Sequence, residues 1–129
     1  MNGSYLLNTN IVVAFFRLQA SIQNRLAQAS LVYVSSIVLG ELYFGAYKSN
    51  LQQRNMAQID TFVTNSNVLY CDIDTARQYG LIKQQLQDKD RPIPDNDIWI
   101  AAVALQHDLT LATRDAHFRA VDNLIYEIW

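Results

Sequence analysis

Cysteine, proline and glycine are scarce in this chain, with one, two and four residues respectively among 129. The single cysteine, Cys71, excludes an internal disulfide, and a reducing cytoplasm is the expected compartment. Cys71 ends an apolar run and reads as a small core residue. So little glycine and proline excludes a linker-rich or low-complexity chain and predicts short loops with much helix. The glycines, at positions 3, 40, 45 and 80, make no phosphate-cradling cluster. Charge is also sparse. Only 17% of residues are charged and the formal net charge is −2, so the global basic footprint of nucleic-acid binders is missing. Any nucleic-acid role must rest on local charge. The apolar stretch at 11–16 is far short of the ~20 residues a membrane span needs. No basic segment precedes it, so a signal peptide is not expected either. No Cys/His spacing suits zinc, and no serine sits in a nucleophile elbow.

Core material, by contrast, is plentiful. Half of the residues are hydrophobic, enough for a single domain over 1–129 that buries roughly two thirds of its unfolded surface. Residues 5–7, 31–34, 68–71, 110–113 and 124–128 read as strands. Helices are expected over 11–17, 20–29, 37–48, 51–64, from 74 through 86, and over 96–106. Thr9 or Asn10 is the expected cap of the first helix, and Ser35 or Ser36 that of the third. Strands separated by helices predict an α/β fold of about five strands, a mostly parallel sheet with helices on both faces. Ligands of such sheets bind at the carboxyl ends of the strands, where Asn8 and Asp115 fall.

Carboxylates in uncharged surroundings carry the chemistry. Glu41 is the only ionised group between residues 30 and 47, on a helix apolar on every face and expected to be buried on most sides. It reads as a metal or water ligand, or as a core glutamate paired with an arginine. Asp97 heads the apolar run 98–105, and Asp115 follows the strand 110–113. A buried carboxylate without a partner is costly or takes up a proton. Three at the edges of core elements point to a shared partner, for which a divalent cation is the simplest choice. Oxygen-only ligands favour Mg²⁺ or Mn²⁺. Helix capping is the competing explanation for the aspartates. In Pro94-Asp95-Asn96-Asp97 the two carboxylates point about 200° apart on a helix, so Asp95 reads as the cap or an outer residue and Asp97 as the ligand. Asp115 serves equally well as a ligand or as the cap of a short helix over 116–120. His117, beside Phe118, reads as a surface or packing residue.

Four segments, in this order, resemble the signature segments of PIN-domain ribonucleases, in particular VapC toxins of bacterial toxin–antitoxin pairs. They are Leu6-Leu7-Asn8-Thr9-Asn10-Ile11, Ser36-Ile37-Val38-Leu39-Gly40-Glu41-Leu42-Tyr43-Phe44-Gly45, Arg91-Pro92-Ile93-Pro94-Asp95-Asn96-Asp97-Ile98-Trp99-Ile100-Ala101-Ala102 and Thr113-Arg114-Asp115-Ala116-His117-Phe118. The resemblance implies a three-layer α/β/α domain and an acidic cluster that binds Mg²⁺ or Mn²⁺ and hydrolyses RNA. Its carboxylate positions fall on Asn8, Glu41, Asp97 and Asp115. Thr9 and Asn10 match the Thr-Asn pair that follows the first of these, and Thr113 matches a hydroxyl that orders the site. It further implies a homodimer and a small VapB-type antitoxin that inserts a segment into the acidic pocket. Arg91, Arg114 and Arg119 are the local cations available to an RNA substrate.

Position 8 departs from the pattern, which has aspartate there. An engineered change that disarms a toxic nuclease and a natural variant with weakened catalysis both account for it, and the intact surroundings favour the first. Two rival readings follow. One is a PIN-like module that binds RNA or antitoxin without catalysis. The other is a haloacid-dehalogenase-like phosphatase, which would need aspartates at positions 8 and 10, both asparagine here.

Overall fold

The computed structural model describes residues 3–129. Strand β1 (Ser4–Leu7) leads to helices α1 (Thr9–Phe16) and α2 (Ala20–Gln28). Strand β2 (Leu31–Ser35) leads to α3 (Ser36–Lys48) and α4 (Gln52–Thr64), and β3 (Asn67–Leu69) to α5 (Ile73–Asp88) and α6 (Asp95–Gln106). Strand β4 (Thr110–Thr113) is followed by a 3₁₀ turn, Ala116–Ala120, and by β5 (Tyr126–Ile128). The strands pair in the order β3-β2-β1-β4-β5, and every pairing is parallel. The chain steps outward from β1 to β3, returns across the sheet to β4 and ends at β5. Right-handed crossovers in opposite directions put helices on both faces. The expected α/β/α architecture is therefore the observed one, and its direction reverses between β1 and β4, where such sheets open a crevice.

That central pair is the driest part of the sheet. Leu6 is in register with Leu111 and Leu7 with Ala112, and all four are essentially unexposed. Strands covered on both faces need apolar residues at successive positions, which is why they read as runs rather than as alternation. Helix α6 is equally dry from Ile100 to Ala104; its alanines let it lie close to its neighbours. Among the described residues no helix is long and apolar enough to cross a membrane.

Several element ends differ from expectation. Asn8, not Thr9 or Asn10, caps α1: its Oδ1 accepts from Thr9 N at 2.9 Å. Helix α5 starts before Asp74, because Asp72 and Thr75 close a reciprocal capping box, with Thr75 N to Asp72 Oδ1 at 3.1 Å and Asp72 N to Thr75 Oγ1 at 3.0 Å. Asp72→Ala is expected to lower the urea midpoint without changing the slope, because it removes a cap and leaves the buried surface as it was. Cys71 is exposed, not a core residue, because β3 ends two residues earlier and the chain has left the sheet. Helix α3 is not buried on most sides. Val38, Leu39, Leu42 and Ala46 pack inward, while Phe44 and Tyr47 are 62% and 61% exposed among the described residues.

Candidate active site

The site is assembled where β1 and β4 end. Asn8 N donates to Ala112 O at 2.9 Å, just past the last paired residues of β1 and β4. The residue is only 3% exposed. Both ends of its amide are used: Oδ1 takes the Thr9 N–H, and Nδ2 donates to Thr113 Oγ1 at 2.9 Å. Thr113, fully buried, also accepts from Asp115 N at 3.1 Å. Asn10 secures the same turn from the other side, donating from Nδ2 to Asp115 Oδ2 at 3.2 Å and accepting Arg114 N at 3.3 Å. Thr9 Oγ1 donates to Glu41 Oε1 at 2.6 Å, which ties α3 to α1.

Asp97 enters from the first turn of α6, its side chain 14% exposed. Its Oδ2 lies 2.8 Å from His117 Nε2. Burial pushes the Asp97 carboxyl above the ordinary aspartate range. His117 beside it pulls it back in part, and the nearby Glu41 and Asp115 carboxylates push it up further. The unfolded chain gives up this proton at a lower pH than the folded one does. Stability from this group is therefore full below the ordinary aspartate value and lost as pH rises through the raised one. Metal-free Asp97→Asn should melt higher than the parent at pH 7, with the difference vanishing in acid. Thermal melts in EDTA across that range check the sign.

Asn8, Glu41, Asp97 and Asp115, drawn from four separate segments, line one pocket of about 760 Å³. Its other walls are Thr9, Asn10, Val13, Ala14, Arg17, Gln19, Pro94, Asp95, Asn96 and Arg114. None of the three carboxylates is locked to an arginine: Glu41 meets Thr9, Asp97 meets His117 and Asp115 meets Asn10. Asp95 lies on the rim but does not cap α6. Pro94 holds the cap position, and Asp95 accepts from Tyr79 Oη and Lys83 Nζ, each at 3.1 Å. The Lys83 ammonium and the Tyr79 hydroxyl hold its carboxyl below the usual range. Asp115 precedes the 3₁₀ turn without a side-chain cap bond, so capping does not account for it.

Of the three arginines offered for substrate, only Arg114 reaches the pocket, its guanidinium held by Gln19 Oε1 at 2.6 Å and Trp129 O at 3.2 Å. Arg91 and Arg119 are exposed and line no part of it, because the loop after α5 and the 3₁₀ turn present them elsewhere. Sequence reasoning missed Arg17. The signal was available: Asn10, Val13, Ala14 and Arg17 follow the spacing of one helix face, and all four line the pocket. It also undervalued His117, whose contact with Asp97 joins residues 20 apart in the chain.

A family model described as PIN domain matches residues 5–124. This chain belongs to the PIN-domain family. Its relatives within that family include the VapC proteins. It is 38% identical over 128 residues to "Ribonuclease VapC2" of Haemophilus influenzae, covering 97% of each chain. It is 34% identical over 129 residues to "tRNA(fMet)-specific endonuclease VapC" of Shigella flexneri, again over 97% of each. Among solved structures, VapBC2 from Rickettsia felis bound to a promoter DNA fragment matches with a TM-score of 0.91 at 33% identity, over 98% of each chain. The PIN membership leaves no place for the phosphatase reading.

The PIN-domain donor set fits a hard cation in kind, since carboxylate and amide oxygens are what Mg²⁺ and Mn²⁺ take. In position it is not closed. Among the described residues, no three acidic, histidine or cysteine side chains converge as a ready-made metal group. An amide at position 8 withholds one charge, and like-charged neighbours gain by turning toward hydrogen-bond donors instead of toward one another.

Proposed function

We propose that this PIN domain is a cation-dependent endoribonuclease, the toxin of a toxin–antitoxin pair, whose hydrolysis is held low by asparagine at position 8. The observation that carries the reading is the meeting of Asn8, Glu41, Asp97 and Asp115 in one pocket at the carboxyl ends of β1 and β4. Relatives of full length named as ribonucleases, and a near-superposable toxin–antitoxin structure, support it. Glu41, Asp97 and Asp115, with the oxygen of residue 8, would hold Mg²⁺ or Mn²⁺. The ion supplies charge neutralisation at the scissile phosphate and a more acidic attacking water. The chain's own part is orientation: Thr9 aims Glu41, Asn10 aims Asp115, and His117 steadies Asp97. Water attacks phosphorus in line, a new P–O bond forms, and the 3′-oxygen leaves with a proton. RNA, a VapB-type antitoxin and a second copy of the chain are the partners this reading entails, and the cytoplasm is its setting.

The test is cleavage of RNA by the chain and by its Asn8→Asp form in Mg²⁺, in Mn²⁺ and in EDTA. Cleavage that needs the cation and disappears with Asp97→Ala supports the reading. Cleavage indifferent to both overturns it. A second reading, a PIN module that binds without catalysis, is favoured by one feature: the Asn8 amide is satisfied at both ends and each carboxylate already has a protein partner. No cleavage by either form would select it.

A further inference from the structure

The acidic pocket does not end at Glu41. A second cavity of about 360 Å³ shares Glu41 and Asn96 with it and continues over Ser36, Ile37, Gly40 and Phe44. This extension follows the uncovered flank of α3. Glu41, Phe44 and Lys48 occupy positions i, i+3 and i+7 of that helix and so share a face, Phe44 about one turn beyond Glu41 and Lys48 about two. Lys48 Nζ stands 4.5 Å from the centroid of the Phe44 ring. A ring has two faces, and this cation takes only one. Gly40 lines this cavity, and a side chain begun there would meet nothing within 4 Å. Arg17 and Arg114 also line the acidic pocket. The Arg17 side chain is exposed, and its guanidinium has no hydrogen-bond or ion-pair partner among the described residues.

A single exposed phenylalanine is ordinary. This one lines a cavity together with Glu41 and carries a cation on its ring. Aromatic faces paired with cations are what unpaired nucleotides use: the base stacks and the phosphate is neutralised. Tyr47, also exposed, lies further round α3 and away from Glu41, so the strip toward the pocket is narrow instead of a broad apolar patch.

We propose that the two cavities form one track for single-stranded RNA. A base beside the scissile phosphate stacks on Phe44, the next phosphate meets Lys48, and the other flank of the strand meets Arg17 and Arg114. The inference rests on the nuclease reading of the same pocket and adds to it a base-stacking residue, Phe44, and a phosphate contact, Lys48. A base held in a duplex cannot reach the ring, so unpaired substrate is preferred.

The experiment is fluorescence anisotropy of a labelled single-stranded oligoribonucleotide and its duplex in Mg²⁺, read before cleavage is visible on a gel. Phe44→Ala should weaken single-strand binding roughly 5- to 150-fold, and Phe44→Trp should preserve it. Lys48→Ala and Arg17→Ala should each flatten the log–log salt slope by about 0.7. Gly40→Gln should weaken binding while raising the melting temperature, because it fills the cavity that Gly40 lines yet is the better helix former. Unchanged single-strand binding by Phe44→Ala overturns the track. So does a loss that tracks dissociation of an oligomer in sedimentation and recovers at high protein concentration, which would make the α3 face an interface between copies. If the unsubstituted chain binds neither RNA form, the nuclease reading fails as well. Binding that ignores Phe44 removes the track alone.

Discussion

Asn8→Asp is expected to raise the rate of RNA cleavage in Mg²⁺ by roughly 10²-fold or more. The substitution changes almost no volume. It exchanges a neutral amide for a charge in a niche that is 3% exposed, where electrostatic effects are least diluted by water. The niche can accept the exchange. Thr9 N still donates to one oxygen, and the Thr113 hydroxyl, which now receives the Asn8 amide, can turn and donate to the other. The new carboxylate joins Glu41, Asp97 and Asp115 in a single pocket. Initial rates on a labelled RNA measure the gain, with Asn8→Ser as the control that changes the residue without adding charge. A gain of similar size from the serine form would show that removing the amide, not adding the charge, is what matters.

The same Asn8→Asp form should be less stable than the parent when metal is withheld. Two like charges about 4 Å apart cost about 4 kcal/mol at an effective dielectric of 20, so a penalty of about 1–4 kcal/mol is the expected range. Asp97 already reports the strain, its carboxyl raised by burial and by the two neighbouring carboxylates. A cation at one hundred times its dissociation constant returns about 2.7 kcal/mol. Melts should therefore show the Asn8→Asp form below the parent in EDTA and recovering steeply with Mg²⁺, while the parent responds weakly. Equal Mg²⁺-induced shifts in the two proteins would remove position 8 from any central role in cation binding.

How much was legible beforehand differs from element to element for physical reasons. The strands around Leu6-Leu7 and Leu111-Ala112 were visible because residues covered on both faces must be apolar in succession. The isolated carboxylates stood out because charge is otherwise excluded from such segments. Helix ends were read less well. Asn8 and Asp72 took caps that neighbouring residues could also have filled, a choice settled by which side chain lies within reach of a free N–H. Cys71 looked buried by composition and is exposed because the sheet stops at Leu69.

Residue order by itself determined the class of fold and the isolated carboxylates, because hydrophobic periodicity and the cost of burying charge act along the chain; the anomaly at position 8 was visible only against the resemblance to PIN-domain ribonucleases. Only the tertiary structure decided that four distant segments share one pocket, that Arg17 belongs to it while Arg91 and Arg119 do not, and that α3 leaves Phe44 uncovered. Those outcomes depend on the parallel order β3-β2-β1-β4-β5 and on which flank of each helix finds a neighbour. Contacts between residues far apart in the chain leave no periodic trace in the order of its letters.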